Sequence, residues 1–230
     1  MSKPIPGLFI AGTGTEVGKT YVAAMIARSL AAAGRKVGVY KPVASGSRRE
    51  GDRLICDDAA KLWEAAGRPG ELDRVCPQHF VAPLAPHLAA SMEGRKLDAE
   101  LLRTGIEYWR SRSEIILVEG IGGLMSPVGR HDYVADLADE FGYPLVVVSR
   151  NVLGTINATL QTLITAATFR EGLPITGVVL NNSAPPAEDA SLSTNRQELA
   201  ARCIPPILAE VGWRADTFDA EIDWFELPTR

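Results

Sequence analysis

A short apolar run that passes into glycines and then into Gly-Lys-Thr constrains this chain more than any other feature. "GLFIAG" (7–12) is followed by "TGTEVGKT" (13–20) and then by "YVAAMIARSL" (21–30). Read as buried strand, tight loop and helix, this is the context in which backbone N–H groups and the positive end of a helix cradle phosphate. Glycine permits the turn, the lysine reaches the outer phosphates, and the terminal hydroxyl serves Mg²⁺. The usual spelling G-x-x-x-x-G-K-[ST] would put glycine at position 13, where Thr13 stands, with Gly12 and Gly14 on either side. The loop is therefore lengthened, yet it keeps Gly14, Gly18, Lys19 and Thr20. A plain strand–turn–helix junction is the competing reading, and the match of both flanks weighs against it. Val22, Ile26 and Leu30 recur four apart with alanines between them, so this helix should pack closely on a sheet.

The remaining apolar runs extend that picture. "KVGVYKP" (36–42), "EIILVEG" (114–120), "YPLVVVSR" (143–150) and "LPITGVVLNN" (173–182) are rich in β-branched residues and apolar on both faces. Parallel strands covered by helices look like this. "PPILAEVGW" (205–213) supplies a last strand. Helical patterns lie between: "DDAAKLWEAAG" (57–67), closed by Gly67, "LDAELLRTGIEYWR" (97–110) and "GTINATLQTLITAATFREG" (154–172). The last carries Ile156, Leu160, Leu163, Ile164 and Ala167 on one face. No linker or repeat divides these segments. The expectation is an α/β fold, an open and mostly parallel sheet with helices on both faces, of the P-loop NTPase type, in one domain spanning 1–230.

Composition removes several function classes. The 230 residues carry a formal net charge of −4 with the two signs interleaved, so no basic patch for nucleic acid or polybasic stretch for a membrane surface stands out. No window approaches the roughly 18 apolar residues a membrane helix needs. The apolar run near the N-terminus is too short for a signal-peptide core. Cys56, Cys76 and Cys203 are odd in number and far apart, which indicates neither a disulfide framework nor a zinc knuckle. The expected address is the reducing cytoplasm. His79, His87 and His131 form no metal spacing or triad, and no G-x-S-x-G elbow for serine hydrolysis occurs.

The residues with chemistry to offer cluster after the strands. Lys41 closes the second strand, and the carboxyl end of a parallel strand borders the ligand crevice of an open sheet. Ser45, Gly46 and Ser47 follow it as a polar turn. Alone, Lys41 reads as a solvated lysine; beside a phosphate loop it becomes a second cation for an anionic substrate. Asp57 and Asp58 open a helix, where they either cap free N–H groups or present one carboxylate to a metal. Glu119 closes a hydrophobic strand before Gly120, Ile121, Gly122 and Gly123. A buried carboxylate without a partner is costly, and a cation such as Mg²⁺ would account for it.

With those residues in place, the chain resembles the dethiobiotin synthetases, the ATP-dependent carboxylating and ring-closing enzymes of biotin synthesis. The resemblance runs from residue 7 to residue 213 and rests on "GTGTEVGKT", "YKPVASG", "DDA", "APHLAA", "VEGIGG", "LGTINATLQT" and "VVLNN", in family order. The family loop is the lengthened one, so Thr13 is expected there. The resemblance implies a homodimer that joins 7,8-diaminopelargonate and CO₂ at the expense of ATP. It implies that Lys19 and Lys41 act on the carbamate and the transferring phosphoryl group, and that Thr20, Asp58 and Glu119 hold Mg²⁺. Nucleotide contacts would come from Gly14, Thr15, Glu16, Val17, Gly18, Lys19, Thr20 and Tyr21, from Asp58, and from Glu119, Gly120, Ile121 and Gly122. The base would lie near Asn181 and Asn182, with Gly212 and Trp213 flanking it. Ser45 and Gly122 would meet the diamine beside Lys41. Its distal carboxylate would meet Leu153, Gly154, Thr155 and Asn157 from the partner subunit, at a helix N-terminus suited to an anion.

Other nucleotide-binding classes fit less well. A partition- or division-site ATPase regulated by partners carries an extra lysine where this chain has Gly14. A GTP switch protein would need Asn-Lys-x-Asp, which is absent, and an amidotransferase-type corrinoid ligase needs a glutaminase domain for which 230 residues leave no room. A binding module independent of nucleotide would show no Mg-ATP affinity.

Overall fold

The computed structural model describes residues 5–185 and 189–229. Six strands form one sheet: β1 (Gly7–Gly12), β2 (Val37–Tyr40), β5 (Ile115–Glu119), β6 (Leu145–Arg150), β7 (Ile175–Asn181) and β8 (Ile207–Val211). Their order is β2-β5-β1-β6-β7-β8, and every neighbouring pair is parallel. The central strands are buried along almost their whole length, which is why they read as continuous apolar runs without alternation. A separate hairpin pairs β3 (Arg48–Glu50) with β4 (Arg53–Ile55).

Among the described residues, eight α-helices flank and connect the strands: α1 (Lys19–Ala32), α2 (Asp57–Ala65), α3 (Pro86–Met92), α4 (Ala99–Thr104), α5 (Glu107–Arg110), α6 (Val134–Phe141), α7 (Thr155–Thr168) and α8 (Leu192–Ala200). Val22, Ile26 and Leu30 of α1 are buried with the alanines between them, as the four-residue spacing requires. From β1 the chain crosses to the edge at β2, returns to β5, and then runs outward through β6, β7 and β8. The reversal around β1 opens a crevice at the carboxyl ends of the strands, the place where open sheets take ligands.

Two helical expectations change in detail. Residues 97–110 form two helices, not one. Asp98 caps α4 by accepting from the N–H groups of Glu100 and Leu101. At its other end the Tyr40 hydroxyl donates to the carbonyls of Leu101 and Leu102, at 2.9 and 3.0 Å, in competition with the helical ladder. The same hydroxyl would lie 2.4 Å from a Cβ at Gly105. The second change is the rotation of α7. Its buried face is Thr155, Thr159, Thr162, Leu163 and Ala166, whereas Ile164 is 62% exposed and Leu153, just before the helix, 81%. Threonine can face inward here because its hydroxyls are satisfied: Thr162 donates to the Ala158 carbonyl at 2.9 Å, and the others bond to Ser149.

Beyond β8 the chain folds back onto α1. The Tyr21 hydroxyl donates to the Ala215 carbonyl at 2.6 Å, Phe218 packs on Trp224 with ring centroids 4.9 Å apart, and Trp224 joins the core. Cys56, Cys76 and Cys203 all carry free thiols. Among the described residues, no helix is long and apolar enough to cross a membrane.

Candidate active site

The phosphate loop is held in shape from beneath. Gly18 has φ 93°, and a Cβ there would lie 2.0 Å from the Asn181 amide nitrogen, so only glycine fits. That nitrogen donates to the Val17 carbonyl at 2.9 Å, so buried Asn181 at the end of β7 supports the loop from below. Lys19 reaches back across the loop to the Gly14 carbonyl at 2.9 Å. It is only 8% exposed, and burial, opposed by the nearby Glu119, brings its pKa down to about 8. A lysine short of compensating charge is a receptor for a polyanion.

Next to it stands a dense charged cluster from two strand ends and the start of α2. Lys41, at the end of β2, is 3% exposed, and its Nζ lies 2.6 Å from Glu119 Oε1 and 3.2 Å from Asp58 Oδ2. Burial alone would depress its pKa; the carboxylates of Glu119 and Asp58 outweigh burial and raise it, so the group stays cationic. Glu119, at the end of β5, is 2% exposed; its Oε1 also accepts from the Thr20 hydroxyl at 2.8 Å. Its Oε2 is buried with no hydrogen-bond partner among the described residues. Asp58 is pulled below the usual carboxylate range: desolvation works against this, and Lys41 overcomes it.

The two aspartates opening α2 separate in role. No side chain caps that helix, whose N-cap position is Cys56. Asp57 turns outward to pair with Arg48 Nε at 3.0 Å, while Asp58 turns inward to Lys41. The orphaned Glu119 oxygen, with Asp58 and the Thr20 hydroxyl beside it, forms an all-oxygen donor set open on one side. That fits Mg²⁺, which keeps several waters and shares its remaining ligands with phosphates.

These groups face an open cleft of about 770 Å³. Of the residues expected from sequence, Thr15, Glu16, Gly18, Lys19, Thr20 and Tyr21 line it from the phosphate loop and α1. Lys41, Ser45, Asp58, Glu119, Ile121 and Gly122 line it from the other side. Gly14, Val17 and Gly120 lie behind this surface: Gly14 through its carbonyl to Lys19, Val17 through its carbonyl to Asn181, and Gly120 in the core against Phe9 and Val134. Sequence reasoning missed Lys61, Ser126 and Pro127, and the wall formed by Pro83, Leu84, Ala85 and Pro86. The two prolines bracketing Leu84–Ala85 were the available signal for a rigid wall, and Ser126 is marked by accepting from the Gly123 N–H at 2.8 Å.

The other expected residues stand outside this cleft. Asn182 spends its amide on Glu210 Oε1 and the Val211 carbonyl, both at 3.0 Å, and accepts from Asn151 at 3.1 Å. Gly212 and Trp213 follow β8, with the Arg214 guanidinium over the Trp213 ring. Leu153, Gly154 and Asn157 are exposed at the start of α7, but the Thr155 side chain is buried against Ser149. Only its backbone could meet a ligand, and its N–H already bonds to the Val152 carbonyl at 3.1 Å.

Comparison with known proteins identifies the family. The model of an AAA domain family matches residues 6–220. The chain is 40% identical over 215 residues to the ATP-dependent dethiobiotin synthetase BioD of Rhodopirellula baltica, covering 88% of this chain and 82% of that one. It is 40% identical to the protein of the same name from Anaeromyxobacter dehalogenans, covering 91% of each, and 35% identical to that of Aromatoleum aromaticum, covering 93% of each. Among solved structures, a ParA family ATPase from Chlorobium tepidum TLS superposes with a TM-score of 0.53 at 16% identity, covering 94% of this chain and 86% of that one. The signal recognition particle receptor FtsY from Elizabethkingia anophelis gives 0.51 at 13%, covering 99% of this chain and 65% of that one. Likeness at that identity shows the fold alone. The relatives go further: the chain belongs to the AAA-domain family matched here and, within it, to the ATP-dependent dethiobiotin synthetases.

Proposed function

We propose that this protein is an ATP-dependent dethiobiotin synthase, converting 7,8-diaminopelargonate, CO₂ and ATP to dethiobiotin, ADP and phosphate. The observation that carries the chemistry is the meeting of Lys41 and Glu119, from the ends of β2 and β5, with Lys19 and Asp58, from the starts of α1 and α2, beside a phosphate loop. In this scheme one amine of the diamine takes up CO₂ as a carbamate. A carbamate oxygen attacks the γ-phosphorus of ATP, the bond to ADP breaks, and a carbamic–phosphoric mixed anhydride forms. The second amine then attacks the carbonyl carbon, closing the cyclic urea and expelling phosphate.

The residues divide the work. Lys41 is held cationic by its two carboxylates, so it can neutralise the carbamate and the oxygens of the moving phosphoryl group. Lys19 exchanges the Gly14 carbonyl for the outer phosphates. Thr20, Asp58 and Glu119 would hold Mg²⁺, whose charge offsets that of the triphosphate when it is bound. Ser45 stands beside Lys41 to orient the diamine, with the Pro83–Pro86 wall beside its alkyl chain. Asn181 sets the height of the phosphate loop and Asn182 the end of β7; the base lies beyond them, towards Gly212 and Trp213. The protein works as a homodimer, and the exposed Leu153–Asn157 turn of one subunit meets the diamine carboxylate held by the other. The apolar stripe that α7 leaves outside, with Ile164 62% exposed, supports that association.

The test is carbon bookkeeping with isotopically labelled bicarbonate. One labelled carbonyl in the cyclic urea per phosphate released is expected. Phosphate release without incorporation of label would reject the reading.

A further inference from the structure

β6 reads Leu-Val-Val-Val-Ser-Arg, four apolar residues and then a hydroxyl in the middle of a covered sheet. Ser149 is 1% exposed, and the two threonines that face it from α7, Thr155 and Thr159, are buried as well. The Ser149 hydroxyl lies 2.8 Å from that of Thr155, accepts from that of Thr159 at 2.8 Å, and lies 3.3 Å from that of Thr13. Thr13 is the residue that lengthens the phosphate loop, and its N–H donates to the Val148 carbonyl at 3.0 Å. The extra residue therefore prolongs β1 along β6, and the cradle proper begins at Gly14.

Each hydroxyl has one proton to give and two lone pairs. The assignment that gives every buried proton an acceptor runs Thr155 and Thr159 into Ser149, and Ser149 into Thr13. Packing alone would be met by valine and alanine. Buried hydroxyls are costly unless paired, and once paired they fix direction as well as distance.

We infer that Ser149 is a positioning residue that sets the first two turns of α7 against the phosphate loop. What it positions is the exposed start of α7, where the Leu153 N–H is met by Asp189 Oδ2 and the Thr155 N–H by the Val152 carbonyl, and helix geometry leaves the N–H groups of Ile156 and Asn157 open. The inference rests on the proposed ligase reading, in which that turn receives the carboxylate of the diamine. Ser149 then governs how well the carboxylate is met, without touching it.

The experiment compares Ser149→Ala with wild type in diamine-dependent phosphate release, using two substrates: 7,8-diaminopelargonate and an alkyl 1,2-diamine that lacks the carboxylate. The KM for the carboxylated diamine should rise roughly tenfold, short of the ~100-fold that a 1 Å misplacement can cause. The KM for the carboxylate-free diamine and the kcat for both should hold. Should Ser149→Ala fold poorly, Thr159→Val removes one donor at constant volume and should shift KM the same way, while Thr159→Ser restores the wild-type value. Equal changes for both diamines, or a lowered melting temperature with no change in KM, would overturn the inference. Loss of diamine-dependent release in the wild type itself would sink the ligase reading, and this inference with it.

Discussion

The carboxyl end of the sheet carries two polar clusters built on opposite principles. At β2, β1 and β5 it is made of charges, Lys41, Lys19, Asp58 and Glu119, and it is unfinished. One oxygen of Glu119 has no partner among the described residues, and burial brings the pKa of Lys19 down to about 8. At β6, β7 and β8 the cluster is built of side-chain amides around one carboxylate, Glu210, and it is closed. Asn151 donates to Asn182, Glu210 and the Leu192 carbonyl, Asn182 to Glu210, and Asn195 to Asn151 at 2.8 Å. The contrast separates two uses of buried polarity. A closed network fixes geometry, whereas an open one waits for a ligand to complete it.

Substitutions should break the two clusters differently. The largest effect belongs to Lys41→Ala. Turnover should fall by about 10²–10³, the scale for losing a charge aimed at developing negative charge. The fold should also lose about 3–5 kcal/mol, because Glu119 is left buried without a countercharge. Denaturant melts in the presence and absence of Mg-nucleotide separate the two effects, since a bound cation should restore part of the stability. Glu119→Gln should come next. It keeps the shape but withdraws the carboxylate, so the Mg²⁺ concentration for half-maximal turnover should rise well above that of wild type. An unchanged Mg²⁺ requirement would remove Glu119 from the metal set.

In the closed cluster, Asn195→Ala should lower stability by about 1–3 kcal/mol, the penalty for leaving buried partners unpaired. Its kcat at saturating substrate should stay close to wild type. A collapse of kcat without loss of stability would erase the distinction between the clusters. The smallest effect concerns His79, outside both. Burial lowers its pKa, Arg95 lowers it further, and Asp73 and Glu93 oppose them. Its Nδ1 is buried without a partner among the described residues, so a proton there would have no acceptor among them. A depressed folded-state pKa means the unfolded chain binds more protons, and stability is lost as pH falls through the usual histidine range. The melting temperature should therefore drop on mild acidification, and His79→Asn should flatten that slope.

How much of this was legible in the sequence follows from the range of each interaction. The six strands and α1 are written in continuous local patterns, and so is α6, whose Val134, Leu137, Ala138 and Phe141 before Gly142 give a helical period that sequence reasoning passed over. The β3–β4 hairpin is exposed and charged, with no alternation to betray it. The break between α4 and α5 depends on a tyrosine hydroxyl from β2, and the rotation of α7 on a serine in β6. No local window contains either partner. In the site, Lys19, Lys41, Asp58 and Glu119 each stood out by motif. The resemblance placed them in one site, but the ion pair inside it was not legible, because the 2.6 Å contact of Lys41 with Glu119 spans 78 positions. The wall at Pro83–Pro86 carries no reactive group, and its two prolines were its local signal.

The central claim is that the unfinished charged cluster couples ATP cleavage to closure of the diamine. Phosphate release from Mg-ATP, with bicarbonate present, should be followed as 7,8-diaminopelargonate is added to wild type and to Lys41→Ala. Release that requires both diamine and bicarbonate, and that collapses in Lys41→Ala, is the predicted result. Steady ATP turnover indifferent to the diamine would contradict the account, leaving a phosphate loop that serves a partner-regulated ATPase.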